Sequence, residues 1–279
     1  MKNRKNKFIQ IFISLAFFLF LFFPIIWIFF VSIQPGDVAY SGHYRFFPQT
    51  FTLEAYSQTF LNSLLYSSLI SGISAAFSMF FATLAIYLIK SEIISEQWQM
   101  RIFKGAVGLF FLPAFVVILG LKNIEYFFHL TLNPTFKLFV VHSIFGFVMA
   151  FILLLFVYSS SQHSYFEQLL LETGTRLRAF YYGIVLPHFT GTLIVCAFTF
   201  ATIWSEFFLS GLITTTQKIK PFSVVLQMAQ GQYGTQYSVF AAGAILSLLF
   251  WIAALAVISI IGFAVHYITT QKEGHENAI

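Results

Sequence analysis

Between residues 8 and 31 the chain runs for 24 residues without a charged side chain. A helix of that length rises about 36 Å, which exceeds the hydrocarbon core of a bilayer at about 30 Å. Only 9% of the 279 residues are charged and 58% are hydrophobic, whereas an ordinary soluble domain has about 25% charged residues. The chain cannot cover itself with a polar surface, so we interpret it as an integral membrane protein.

Five further apolar runs follow the first, and together they predict an all-α, polytopic protein with six transmembrane helices. The first run is longer than a signal-peptide core, and no small-residue cleavage site follows it, so we expect a retained span. Polar loops are expected at 91–104, 122–137 and 215–236. The predicted spans are 8–31, 61–89, 105–121, 138–158, 187–214 and 237–267.

Six spans place both termini on one side of the membrane. That side would hold ten of the 15 Lys and Arg residues, and the other side five. The positive-inside rule then predicts cytoplasmic termini and explains the basic balance without nucleic acid. The expected domains are 1–60 (first span and outer loop), 61–268 (transmembrane core) and 269–279 (cytoplasmic tail), with a cytoplasmic segment at 161–186 inside the core.

Motifs for independent catalysis are missing from the sequence. It contains no G-x-x-x-x-G-K-[ST], so it has no P-loop of its own, and no H-E-x-x-H or G-x-S-x-G. Cys196 is the one cysteine and lies in an apolar run, so no disulfide framework is expected. We predict no catalytic residue, no metal site and no cofactor bound by this chain.

Two ionisable residues fall inside predicted spans, Glu206 and His142. A charge at mid-membrane costs about 2.5–3.5 kcal/mol on insertion scales, so such residues usually face a cavity or a partner. For Glu206, in Trp204-Ser205-Glu206-Phe207, a cavity-facing role and a structural hydrogen bond to another helix stay equally open. Glu206 and Trp204 are our candidates for a translocation cavity, and His142 is expected to be a satisfied or interfacial histidine.

The stretch from 161 to 187 is polar enough to leave the bilayer and yet carries a helical pattern. Ser164-x-x-Glu167 is a capping box that predicts a helix through Glu172, and Gly174 predicts a tight or left-handed turn. A second helix is predicted because four apolar residues follow at i, i+3, i+4 and i+7. They are Leu177, Phe180, Tyr181 and Ile184. Pro187 is expected to occupy the first position of the next span.

These residues resemble the coupling-helix motif of binding-protein-dependent ABC importer permeases, roughly E-A-A-x-x-D-G, nine residues, then I-x-L-P. Gly174 and Ile184-Val185-Leu186-Pro187 keep the spacing from glycine to proline. The first half departs from the motif. Gln168 stands at the usual glutamate, one residue after Glu167, Leu169-Leu170 replace the alanines, and Thr173 replaces the aspartate.

Further resemblances spread over most of the chain. Residues 51–56 with 62–63 and residues 85–87 resemble the family's entry to and exit from the second span, whereas 198–200 with 204–207 and 241–243 resemble the maltose-type carbohydrate branch. The closing tail lacks that branch's usual G-A-x-K-G ending. The resemblance implies the type I ABC importer permease fold in a bacterial inner membrane.

The resemblance also implies a set of partners. They are two cytoplasmic ATPase subunits that bind the ATP, a second permease subunit (in a homodimer or, as we expect, a heterodimer), and an extracytoplasmic solute-binding protein. The ATPase-coupling residues carried over are Glu167, Gln168, Thr173, Gly174, Leu177, Phe180, Tyr181 and Pro187.

Other functions stay open at this stage. Permeases for a polyamine, iron, phosphonate or another small solute share the motif and the number of spans. A membrane-embedded enzyme acting on lipid or an isoprenoid substrate would show clustered His, Asp or Glu at the ends of spans, whereas the ten acidic residues here are scattered. A channel or scaffold would leave the Gly174 to Pro187 pattern unexplained.

Overall fold

A computed structural model describes residues 2–36, 47–56, 58–160, 163–231 and 234–276. Within these ranges the side chains of 2–9, 58–59, 114, 160, 163–164, 231, 234–235 and 265–276 are not described. The principal helices are α1 (Lys2–Ser32), α2 (Gln58–Lys90), α3 (Glu96–Phe110), α4 (Ala114–Phe127), α5 (Pro134–Val157), α6 (His163–Thr173), α7 (Arg176–Phe180), α8 (Phe189–Ser205), α9 (Phe208–Ile213), α10 (Phe222–Ala229) and α11 (Tyr237–Glu276).

Short elements connect some of these helices. A 3₁₀ turn (Tyr158–Ser160) follows α5, and a π-helix (Tyr181–Val185) continues α7. A two-residue antiparallel pair, β1 (Gln230–Gly231) with β2 (Gly234–Thr235), is a small exception in the otherwise helical architecture.

Four helices of the described chain, α1, α2, α5 and α11, are long and apolar enough to cross a membrane. The number rises to six if each of two bent helix pairs forms one span. The first pair, Glu96–Phe110 with Phe115–Phe127, bends by 99°, and the second, Arg176–Val185 with Phe189–Ser205, by 83°. Against the six predicted spans, the described chain thus holds four to six helical segments long and apolar enough to cross a membrane.

The expected loops around the third span were wrong. Helix α3 begins at Glu96 and α4 extends to Phe127, so much of 91–104 and 122–137 is helical. Pro113 separates the two helices as the N-cap of α4, with an extended ψ of 131°. Proline lacks the N–H that a continuous helix needs, which explains the break.

The last two predicted connections also contain helix. In the expected loop 215–236, α10 forms over an apolar sequence that follows Pro221. The predicted tail from 269 is helical as far as Glu276, because α11 continues through it.

The chain divides into two compact units, residues 1–62 with 225–254 and residues 63–224 with 255–279. In the first unit, the Ser32 hydroxyl hydrogen-bonds the Tyr56 hydroxyl at 2.7 Å and donates to the Phe29 carbonyl. Leu226 and Phe60 pack against Gly243, which leaves room for their side chains. The predicted division at residues 60 and 268 stays a prediction.

The second unit contains a seam of small polar residues along α2. Its buried serines recur every three or four residues and so line one face of the helix. They are Ser63, Ser67, Ser71, Ser74 and Ser78. Small residues let membrane helices approach closely, and Ser78 donates a hydrogen bond across the seam to the Ser143 carbonyl of α5.

Gly146 of α5 sits where α2, α5 and α8 meet. A Cβ atom there would lie 2.5 Å from Ser78 Oγ and 2.8 Å from Ile203 Cδ1. Ser78 Oγ is buried and donates to the Ser74 and Ser143 carbonyls, so it cannot move away cheaply. The three helices therefore depend on a residue without a side chain at this point.

We expect Gly146→Ala to lower the free energy of unfolding by about 1–3 kcal/mol, because it overpacks this seam. Gly72→Ala in α2 is the matched control, since nothing lies within 4 Å of its Cβ position. The control should be neutral or slightly stabilising, as alanine is the better helix former. Reversible unfolding in detergent micelles measures both, and equal stability of the two variants would contradict the close approach.

Candidate functional site

The coupling segment, residues 161–186, forms two helices joined by a turn at Gly174; residues 161 and 162 lie outside the described chain. Helix α6 ends at Thr173, one residue beyond the predicted Glu172. The side chain of Ser164 is not described, so the predicted capping box stays a prediction. Gly174 has a φ of +69°, and its N–H donates to the Leu170 carbonyl at 3.0 Å. The predicted left-handed turn is confirmed.

Thr173 and Pro187 flank the turn and the second helix of the coupling segment. The Thr173 hydroxyl donates to the Leu169 carbonyl, one turn earlier in α6, at 2.7 Å. Pro187 does not begin the next span as predicted. It lies in a turn, and α8 begins two residues later at Phe189, with His188 as its N-cap. Its fixed φ and missing N–H suit the end of the π-helix.

The inner face of the second helix packs on the ends of α2 and α5. Phe180 is only 3% exposed, and its ring lies 5.3 Å from Tyr87 and 6.4 Å from Tyr158, edge to face in both cases. Tyr87 is in the last turn of α2, and Tyr158 directly follows α5. Phe180 thus anchors the coupling segment at one end of the helix bundle.

The predicted apolar face was partly wrong. Phe180 and Ile184 are buried as expected, but Leu177 and Tyr181 are exposed. The buried stripe instead consists of Ala179, Phe180, Gly183 and Ile184. Leu169 of α6 lies over Gly183, where a Cβ would come within 2.8 Å of it, and this contact fixes which side of the second helix faces inward.

The outer face of α6 and α7 combines polar and apolar side chains. Glu167 and Gln168 are exposed as a docking role requires. Leu171 is 87% exposed and Leu177 65% exposed, although the segment lies outside the long apolar helices. Leu171 was absent from our sequence prediction. Leu171 lies directly before Glu172 and four residues after Glu167, so it shares a face of α6 with Glu167. This spacing is visible in the sequence.

The coupling segment joins α8 through a polar contact beside Tyr158. The Tyr158 hydroxyl and the Thr192 hydroxyl are 2.8 Å apart, and the His188 ring lies 5.9 Å from the Tyr158 ring. His188 Nδ1 is 2.9 Å from the Ile184 carbonyl. These contacts hold the 83° bend between the segment and α8.

Glu206 stands at a break in the fifth predicted span, between α8 and α9. Its Oε1 accepts from the Leu209 N–H at 2.8 Å, and its Oε2 from the Ser210 N–H at 3.0 Å and the Ser210 hydroxyl at 2.9 Å. His142 Nε2 of α5 is 3.2 Å from Ser210 Oγ and 3.7 Å from Glu206 Oε2. The carboxylate therefore satisfies the free N–H groups at the start of α9.

A cavity of about 270 Å³ lies beside Glu206. Its walls are mostly apolar and aromatic, with four polar side chains: His142, Thr199, Thr202 and Glu206. Thr199 Oγ1 and His142 Nδ1 are buried without a hydrogen-bond partner. Trp204 lies outside this lining, buried against the Phe222 ring at 5.4 Å. The structure thus brings Glu206 to a cavity and keeps Trp204 away from it.

Helices α5 and α8 contact both the coupling segment and this cavity. Leu154 and Val195 belong to the buried cluster that contains Phe180. Gly146 and Ile203 line the cavity. The 17 residues of α8 span about 25 Å from one site to the other. The residues that the structure describes hold no group of three metal-binding side chains.

We expect Glu206→Ala to lower the free energy of unfolding by about 1–2 kcal/mol, because the N–H groups of Leu209 and Ser210 lose their acceptor. Glu206→Gln keeps one side-chain acceptor and should retain most of that stability. Thermal unfolding of both variants in detergent tests this. Equal stability of the alanine and glutamine variants would show that the carboxylate does not cap α9.

Comparison with known proteins identifies the fold. No protein-family model and no curated protein matches the sequence. Among solved structures, a chain in the "Crystal structure of a bacterial ABC transporter involved in the import of the acidic polysaccharide alginate" matches with a TM-score of 0.69 at 14% identity. The match covers 93% of this chain and 97% of that chain. The predicted all-α, polytopic fold of an ABC importer permease is therefore confirmed.

Proposed function

We propose that this chain is the membrane-spanning permease subunit of an ATP-driven, binding-protein-dependent importer. The observation that carries the proposal is the coupling segment. Its inner face is anchored at the end of the bundle through Phe180, and its outer face exposes Leu171 and Leu177. Both side chains are available for contact with a protein partner. The missing P-loop supports a separate ATPase as the partner.

The arrangement suggests how ATP hydrolysis would reach the transported solute. Two ATPase subunits dock at the coupling segments of this chain and of a second permease subunit in a heterodimer. Closure of the ATPases then moves the segment, and α5 and α8 transmit the movement because they contact both the segment and the cavity beside Glu206. The chain acts as a transport subunit rather than as an enzyme, and ATP is bound by its partner.

A carbohydrate is the solute that we propose, delivered by an extracytoplasmic binding protein. Aromatic walls suit the C–H faces of a sugar ring, and the lining includes Phe110, Phe145 and Phe208. No Lys or Arg is among the lining residues, and Glu206 is the one carboxylate. A neutral sugar fits this lining better than an acidic one, because an anion would find no Lys or Arg there and would lie beside the Glu206 carboxylate.

A cationic solute such as a polyamine is the second candidate, because Glu206 favours a positive charge at the cavity. A solute-binding protein encoded beside this chain would separate the two, since calorimetry with neutral oligosaccharides and with polyamines identifies its ligand. In either case the chain would lie in a bacterial inner membrane with both termini cytoplasmic.

The proposed function is tested with the complex purified through a tag on this chain. Reconstituted in liposomes, the complex should hydrolyse ATP faster when the binding protein and its solute are added, and should accumulate that solute. The chain purified without partners is the control and should hydrolyse no ATP. Solute flux through this chain alone, without ATP, would contradict the proposal.

A further inference from the structure

The two helices of the coupling segment present outer faces of opposite charge. On α6, the highly exposed Leu171 lies among Glu167, Gln168 and Glu172. On α7, the exposed Leu177 is followed by Arg178, and the second arginine, Arg176, is one residue before it. The outer face of α6 is therefore apolar with acidic neighbours, and that of α7 is apolar with basic neighbours.

Nothing in the described chain neutralises the two arginines. The ion pair within 4 Å there joins Lys137 to Glu125, and His142 Nε2 lies 3.7 Å from Glu206 Oε2; neither contact involves Arg176 or Arg178. Arg176 is the first residue of α7, where the helix dipole favours acidic side chains, so its charge is locally unfavourable. A carboxylate outside this chain would compensate for the charge of both arginines.

The outer face of α7 points away from the bundle. Its inner face, Ala179 and Phe180, is fully buried against the ends of α2 and α5. The segment is nearly perpendicular to α8, with 83° between them. A helix lying on lipid would bury Leu177 in the bilayer, whereas here Leu177 is exposed between two exposed arginines, and Arg178 lies on the side of α7 opposite its buried face. A protein partner fits this geometry better than a membrane surface.

We infer that the ATPase subunit docking at this segment carries carboxylates opposite Arg178 and Arg176, beside an apolar pocket for Leu177. This inference rests on the proposed function and specifies the chemistry of its partner. Charge complementarity across an interface fixes register and suppresses wrong partners. The opposite polarity of α6 and α7 would allow the ATPase to bind the hairpin in one orientation.

A zero-length carbodiimide cross-linker tests the inference in native membranes, because it joins a lysine amine to a carboxylate in direct contact. Arg178→Lys keeps the positive charge and supplies the amine. Gln168→Lys, on the outer face of α6, is the matched control. Both positions are exposed, so both variants should fold. A third variant with a photo-cross-linking phenylalanine derivative at Leu171 reports docking whatever the partner's charge.

The expected result is a cross-link from position 178 to an Asp or Glu of a protein that contains a P-loop sequence. Its yield should exceed that from position 168 by about tenfold, because the opposing charges hold the two groups together. In the purified complex, Arg178→Glu should weaken retention of the ATPase by about tenfold or more, whereas Arg178→Lys retains it.

Three outcomes would overturn the inference. If Leu171 captures a P-loop protein but position 178 forms no carboxylate link, the partner is not acidic there and the proposed function stands. If a carboxylate-bearing lipid is joined at position 178, α7 lies on a membrane surface. If neither position captures a P-loop protein, the inference and the proposed function both fail.

Discussion

Gly174→Arg is expected to abolish ATP-driven uptake while leaving the protein in the membrane. Gly174 has a φ of +69°, a backbone conformation that costs other residues about 1–2 kcal/mol. Nothing lies within 4 Å of its Cβ position, so the new side chain clashes with nothing in the described chain. The strain alone changes the equilibrium constant between conformations of the turn by about tenfold. The charged side chain also projects beside the exposed Leu171.

Gly174→Asn is the matched control, because asparagine adopts the left-handed conformation more readily than most residues. Solute uptake and solute-stimulated ATP hydrolysis in liposomes are measured for both variants. The asparagine variant should keep most of the coupled activity. Normal uptake by the arginine variant would show that the turn does not couple the ATPase to transport.

Phe180→Ala is expected to lower the free energy of unfolding by about 3–5 kcal/mol, the cost of removing a buried aromatic ring. The ring is 3% exposed and contacts Tyr87 and Tyr158, so its loss leaves a void at the end of α2 and α5. Without this anchor the coupling segment would separate from the bundle. Docking and stability should therefore both decrease.

Leu177→Ala separates the two effects. Leu177 is 65% exposed, so its truncation should change stability by less than about 0.5 kcal/mol. It should nevertheless weaken retention of the ATPase, because the side chain lies on the outer face of α7. Unfolding in detergent and co-purification of the ATPase distinguish the variants. If Phe180→Ala and Leu177→Ala lower stability equally, the inner and outer faces have been assigned wrongly.

The turn of the coupling segment could be predicted from sequence because its conformation is local. Glycine is the residue that adopts a left-handed backbone most easily, and Gly174 follows a helical pattern. The buried face of the second helix could not be predicted in the same way. It depends on Leu169 packing over Gly183, a contact between residues that periodicity does not relate.

The long spans could be predicted because length and hydropathy are enough to identify them. The breaks between helices were harder to predict. Pro113 gave a signal for the break between α3 and α4. Glu206 gave a weaker one, since an acidic residue three or four positions before Leu209 and Ser210 can accept from their N–H groups. Helix α10 was missed because its apolar run is short and periodicity does not separate helix from loop there.

The sequence alone indicates the buried face of α2, although our prediction did not include it. Serines at spacings of three and four residues mark one face of the helix, and all five of them are buried. By contrast, Glu125 and Lys137, at 2.8 Å, form an ion pair between α4 and α5 that no local pattern indicates. Contacts between helices can be identified only from the folded structure, whereas the spacing of small residues along one helix is visible in the sequence.

The docking of an ATPase at the coupling segment is tested most directly by labelling Leu171→Cys with a membrane-impermeant maleimide. Cys196 is replaced by serine in this background, and Met100→Cys on α3, also exposed, is the control. In inside-out vesicles, residue 171 should be protected, become reactive after peripheral proteins are stripped with urea, and be protected again when they are restored. Residue 100 should react throughout. Equal labelling of residue 171 before and after stripping would contradict the account.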